Sequence, residues 1–109
     1  MRTIKDLTGN DEKVWVYLSD EAVWKKFVGM AENEEFHFGE LPAEKWTFGY
    51  VISVHRNGDM GHLPLFVWWN SFTEASSKVP LKVDFLKYIN SDEKYLCTRS
   101  HFNSAIIRA

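Results

Sequence analysis

His55 and His62 stand on either side of an Asn57-Gly58 turn signal, with Asp59 between them and His37 upstream. Two imidazoles facing each other across a β-hairpin form a metal-ligand pair, and Asp59 and His37 are candidates to complete the set. The spacing matches no zinc signature, and a structural zinc usually takes four ligands at recognisable intervals. Histidines at a hairpin end are ordinarily solvated or bonded to a nearby carbonyl. The expectation is a protein without metal or other cofactor. The pair His55 and His62 stays as the alternative, and its matching activity is a small metal-assisted or histidine-dependent hydrolase.

Nucleophilic chemistry has less behind it. Cys97 lies in the apolar run Tyr95-Leu96-Cys97, where a small thiol is ordinary core, and His101 is near it in sequence only. Ser53 is expected beside His62, with no acidic group to orient the ring. Gly58 and Gly61 belong to the turn and not to a phosphate-binding loop. No catalytic residue is assigned.

The carboxylates point to binding. Residues 1–44 hold five Lys/Arg and ten Asp/Glu, while residues 45–109 hold eight and five, so the formal charge of -2 hides an acidic first part. Glu32, Glu34, Glu35, Glu40 and Glu44 fall in residues 31–44, which contain no Lys or Arg. Solvated carboxylates titrate near their reference value and are poor acids at neutral pH. Together they suit a basic protein surface, or imitate a phosphate backbone; the ordinary reading is a solvated helix face and loop. Direct nucleic-acid binding is not expected, because Lys and Arg are scattered and phosphate contacts need a basic footprint.

The elements that must carry these groups follow from periodicity. Trp46, Phe48, Tyr50, Ile52 and Val54 alternate with Thr47, Gly49, Val51, Ser53 and His55, the period of a half-buried strand. Asn57-Gly58 predicts a two-residue type I′ hairpin. That turn pairs His55 with Met60, Ser53 with His62, Ile52 with Leu63, Tyr50 with Leu65 and Trp46 with Trp69. One face is then wholly apolar: Trp46, Phe48, Tyr50, Ile52, Leu63, Leu65, Val67 and Trp69. The other carries Ser53, His55, Met60 and His62, with the two imidazoles roughly 7–8 Å apart on the diagonal. It also carries Val51, Phe66 and Trp68, beside a gap at Gly49. These rings are either covered within the monomer or exposed to a partner, since Trp dominates interface hot spots.

Val14 to Leu18 reads as a buried strand, and a helix is expected over about 20–35, capped by Ser19 or Asp20. Gly29 inside that helix costs about 1 kcal/mol relative to Ala, and close backbone packing is the expected reason. Residues 1–13 are polar and expected to be loosely held, residues 36–45 form a loop, and residues 70–77 form a polar connection. Val79 to Val83 reads as an edge strand, Asp84 caps a short helix from Phe85 to Ile89, and Lys94 to Thr98 reads as a last strand. The tail from Ser100 to Ala109 leaves two readings, an ordered segment or an extension foreign to the fold.

This order predicts one α+β domain: a small antiparallel sheet of four or five strands with one main helix packed across one face. Five Trp, eight Phe and four Tyr supply a core without staples, and a lone cysteine excludes an intrachain disulfide. No secretory h-region or 20-residue apolar run is visible, so a cytoplasmic chain with no membrane contact is expected.

Two stretches carry a resemblance. Ala31-Glu32-Asn33-Glu34-Glu35-Phe36-His37-Phe38-Gly39 resembles the acidic helix-to-FxFG run of small uncharacterised proteins from phages and mobile elements of Firmicutes. Val83-Asp84-Phe85-Leu86-Lys87-Tyr88-Ile89, followed by Tyr95, is similar to their V-D-Y-x-K-Y-I ending, with Phe85 where Tyr is expected. With the His-Leu after the hairpin turn, the likeness covers most of residues 14–98. It transfers no catalytic residue. It implies a setting in which small proteins bind and block a host or rival protein, anti-CRISPR inhibitors among them.

The expected function is thus a non-enzymatic protein-binding module, an inhibitor of that kind. Its partner would touch Glu32, Glu34, Glu35 and Glu40, or Phe66 and Trp68; a homodimer would bury the same rings. Phe27, at the centre of the helix's apolar stripe, tests the core. Phe27→Ala is expected to cost about 3–5 kcal/mol in urea denaturation, and a loss below about 1 kcal/mol would place the core elsewhere.

Overall fold

The computed structural model describes residues 2–9, 12–71 and 80–97. The expected connection over 72–77, Thr98 and the tail from Ser100 lie outside these residues.

β-Branched and aromatic residues form β1 (Lys13–Tyr17), buried from Val14 onward. Asp20 then caps α2 (Glu21–Asn33), its Oδ1 accepting the Val23 N–H at 2.9 Å. Val23, Trp24, Phe27 and Ala31 recur at helical spacing and are buried. Past the helix, Phe36 N–H donates to the Ala31 carbonyl and Glu35 N–H to that of Glu32. With Glu35 at φ +65°, this is a Schellman stop that tucks Phe36 into the core.

Strands β2 (Val51–His55), β3 (Met60–His62) and β4 (Leu81–Asp84) complete a four-stranded sheet of order β3-β2-β1-β4. The α+β class and the main helix across one face are as expected. The sheet is mixed and not purely antiparallel, because β4 runs parallel to β1. Asp84 caps α4 (Phe85–Ile89) through the Lys87 N–H, as its sequence predicts. The strand expected from Lys94 reduces to a bridge between Leu96 and Val83.

The hairpin differs from its expected register by one residue. Three residues, Arg56, Asn57 and Gly58, span the turn: Gly58 N–H donates to the His55 carbonyl and His55 N–H to that of Asp59. Gly58 at φ +98° and the Asn57 Oδ1 accepting the Asp59 N–H close a turn of the three-residue class, which competes with the two-residue one. Ile52 consequently faces His62 and Val54 faces Met60. A slip of one residue moves a strand's side chains to the opposite face.

The expected ribbon also stops early. Pro64 lacks an N–H for the ladder, and its carbonyl accepts from Val67 and Trp68, starting α3 (Leu65–Ser71). An unbroken apolar run such as Leu63 to Trp69 does not distinguish strand from helix. Deprived of a partner strand, residues 46–49 leave the ladder, the Tyr50 carbonyl still accepting the Leu18 N–H at 2.8 Å, and the segment packs by its rings. Phe48 lies 5.0 Å from Tyr50 and 6.1 Å from Trp24. Leu65 and Val67, expected under α2, pack instead on the opposite side of the sheet.

Two cores result. On one face, α2 and α4 cover Val14, Val16, Ile52, Val54 and Val83, with Phe27 edge-on to Phe85 at 5.2 Å. On the other, α3 lays Trp68 over Trp15, Tyr17 and Val51.

The first residues are anchored and not loose. Thr3 and Asp6 form a capping box on α1 (Ile4–Leu7), whose Ile4 and Leu7 are buried. The Glu34 carboxylate accepts the Ile4 and Lys5 N–H groups at 2.9 and 2.8 Å. Arg2 donates to the Tyr88 and Asp92 carbonyls and lies over the Tyr88 and Tyr95 rings, while Tyr88 OH donates to the Thr3 carbonyl.

Gly29 does not mark close packing. A Cβ there would meet nothing within 4 Å. Gly29→Ala is therefore expected to stabilise the fold by about 1 kcal/mol, read as a midpoint several degrees higher in thermal denaturation. An unchanged or lower midpoint would show a contact at this position that the helix face conceals.

Candidate functional site

The acidic stretch folds into a hook beside the hairpin turn. His37 N–H donates to the Gly58 carbonyl at 2.9 Å, and Met60 N–H returns a bond to the His37 carbonyl at 2.8 Å. Asp59 adds its Oδ1 as acceptor for the Gly39 N–H at 3.2 Å, and pairs with His37 Nδ1 at 3.4 Å. Both partners of that pair are half exposed, so its contribution is small. Gly39, at φ +55°, turns the chain so that Leu41 N–H reaches the Phe38 carbonyl. Trp46 Nε1–H then donates to the Leu41 carbonyl, and Phe38 is wedged between Trp46 at 5.1 Å and the His62 ring at 5.3 Å.

The hook is thus held by its backbone and by rings beneath it. Its outer side carries Glu35, Glu40 and Glu44, all exposed, and Glu32 is exposed on the last turn of α2. At the tip, Leu41 is 49% exposed. Glu34 stands apart: its carboxylate is committed to the start of α1, so it belongs to the fold. Nothing in the acidic run distinguishes it from its neighbours by type. Leu41 was also missed as a surface group, although Gly39 and Pro42 on either side of it are turn residues.

The expected aromatic surface divides. Phe66 is 68% exposed, whereas Trp68 is fully buried against the sheet. Alternate residues share a face on a strand but diverge by about 200° on a helix, so α3 separates the two rings. The covering of the second sheet face comes from the segment expected to be a strand of it.

The histidine pair divides too, for the register reason given above. His62 points to the α2 side, where Nε2 is 2.8 Å from the Thr47 carbonyl and the ring lies beside Trp24 and Phe38. A side chain at Gly49 would strike this ring, its Cβ falling 2.5 Å from Cδ2, so the gap expected beside Phe66 is the space His62 fills. His55 lies on the other face with Nε2 3.3 Å from Ser53 Oγ. The two rings cannot ligate one ion, and the metal-assisted alternative loses its site. Among the described residues no three His, Cys, Asp or Glu side chains gather as metal ligands. Among the same residues no helix is long and apolar enough to cross a membrane.

No protein-family model, curated protein or solved structure matches the chain.

Cys97 sits against the Trp68 core. Burial pushes its thiol up to about 12, and the Asp84 carboxylate adds to this, with Lys87 and Lys82 opposing. A thiol neutral through physiological pH is no nucleophile. At pH 8 the folded protein is expected to react with a disulfide reagent at least about a hundredfold more slowly than in urea, the gap narrowing as pH approaches 12. Equal rates would mean an accessible thiolate.

Proposed function

We propose that the chain is a non-enzymatic protein-binding module that offers its acidic hook to a basic surface on another protein. The observation that carries this reading is the hook's fixed backbone. Seven hydrogen bonds, five between backbone groups and two involving a side chain, hold residues 37–46 in one shape. A surface already ordered loses little entropy on association. Leu41 at the tip adds an apolar contact amid carboxylates, the mixture of anchor and charge that gives both affinity and orientation. The resemblance to small phage and mobile-element proteins supports a role in binding and blocking a host protein, as anti-CRISPR inhibitors do.

Charge reversal tests it. With the protein immobilised, the triple variant Glu35→Lys, Glu40→Lys, Glu44→Lys is expected to lose a host protein that the wild type retains at low salt. The same protein should elute from the wild type by about 0.5 M salt, where screening reaches a few ångströms. Retention of the same protein by both forms, at either salt, would overturn the proposal.

A further inference from the structure

We infer that the groove between α2 and α4 receives the hook of a second copy of this chain. The groove is open and shallow, with a volume of about 430 Å³. Gly29, Met30, Asn33 and Ile89 line it together with Lys25, Lys26 and Arg2, and no acidic side chain does. Lys25 and Lys26 are exposed and have no ion-pair partner among the described residues.

Gly29 is the first reason to look outside the monomer. A glycine in mid-helix is costly, and here no side chain or backbone of the same molecule uses the space it leaves. The space opens onto the groove. An apolar side chain arriving from outside would touch the α2 backbone there, flanked by lysines that favour an acidic neighbour.

The chain displays that chemistry itself. In Glu40-Leu41-Pro42-Ala43-Glu44, an exposed leucine lies between two exposed carboxylates. Leu41 fits the groove while Glu40 and Glu44 meet Lys25 and Lys26. The hook adjoins β3 through the His37 and Asp59 bridge, whereas α4 follows β4 at the other end of the sheet order. No hook residue lines the groove of its own molecule, so the occupant comes from a second one. The contact is head-to-tail, leaving a free hook on one end and a free groove on the other, so it grows into short chains or closes into a ring. It is small and charge-dependent, hence weak.

The inference needs only these two surfaces and stands whether or not a foreign partner exists. Sedimentation equilibrium of purified protein tests it, with circular dichroism confirming that each variant is folded. At about 20 mM salt the wild type is expected to rise above monomer mass between roughly 0.1 and 1 mM, and to return to monomer at about 0.5 M salt. Lys25→Glu, Lys26→Glu makes the groove acidic, and Glu40→Lys, Glu44→Lys makes the hook basic. Each double variant alone is expected to stay monomeric. Mixed in equal amounts they should associate again, because each hook then meets a groove of opposite sign. Gly29→Leu, which fills this space, should weaken wild-type association at least tenfold.

A wild type that stays monomeric throughout would overturn the inference. So would association that survives either charge reversal, or folded double variants that fail to associate when mixed. Binding of an acidic, leucine-containing peptide by a strictly monomeric wild type would assign the groove to a foreign segment, and likewise overturn it.

Discussion

Which side of the sheet each β3 side chain reaches depends on the bond from the Gly58 N–H to the His55 carbonyl. It closes a three-residue turn and sets Ile52 opposite His62. From that pairing His62 enters the space between Trp24 and Phe38 and bonds the Thr47 carbonyl. Asp59, at the foot of the same turn, is left free of the ladder's interior and holds the hook by its Gly39 N–H and the His37 ring. The acidic display is therefore built on the hairpin, and not merely next to it.

The second constraint is Pro64. By ending β3 it leaves residues 46–49 without a strand to pair with, and it supplies the carbonyl on which α3 begins. The rings of Trp46, Phe48 and Tyr50 then serve as packing between hook and α2, and Trp68 closes the other face of the sheet. A sheet with both faces occupied leaves its exposed surface at its edges and on the outer sides of its helices, where the hook and the groove beside α4 are found.

Local signals were legible wherever one residue controls its own neighbourhood. Asp20 and Asp84 announce their helices, the stripe from Val23 to Ala31 announces the buried side of α2, and Val14 to Leu18 announces β1. The readings that failed needed knowledge of a partner. Trp46 to Val54 alternates perfectly, yet only its second half finds a strand. Asn57-Gly58 marks a turn, but whether two or three residues span it is decided by what the flanking residues bury. In the site, the acidic stretch was visible as composition. The different task of Glu34 was not, because its hydrogen-bond donors, the Ile4 and Lys5 amides, lie in a segment that looks merely polar.

That same segment bears on how the polypeptide matures. Arg2 and Thr3 are tied to Tyr88 and Asp92, contacts that span most of the chain's length. On a ribosome Glu34 offers the first helix an early partner, whereas Arg2 and Thr3 gain theirs only when Tyr88 and Asp92 have emerged. Closure of the N-terminal segment is consequently completed by a long-range event, after its shorter-range contact with Glu34.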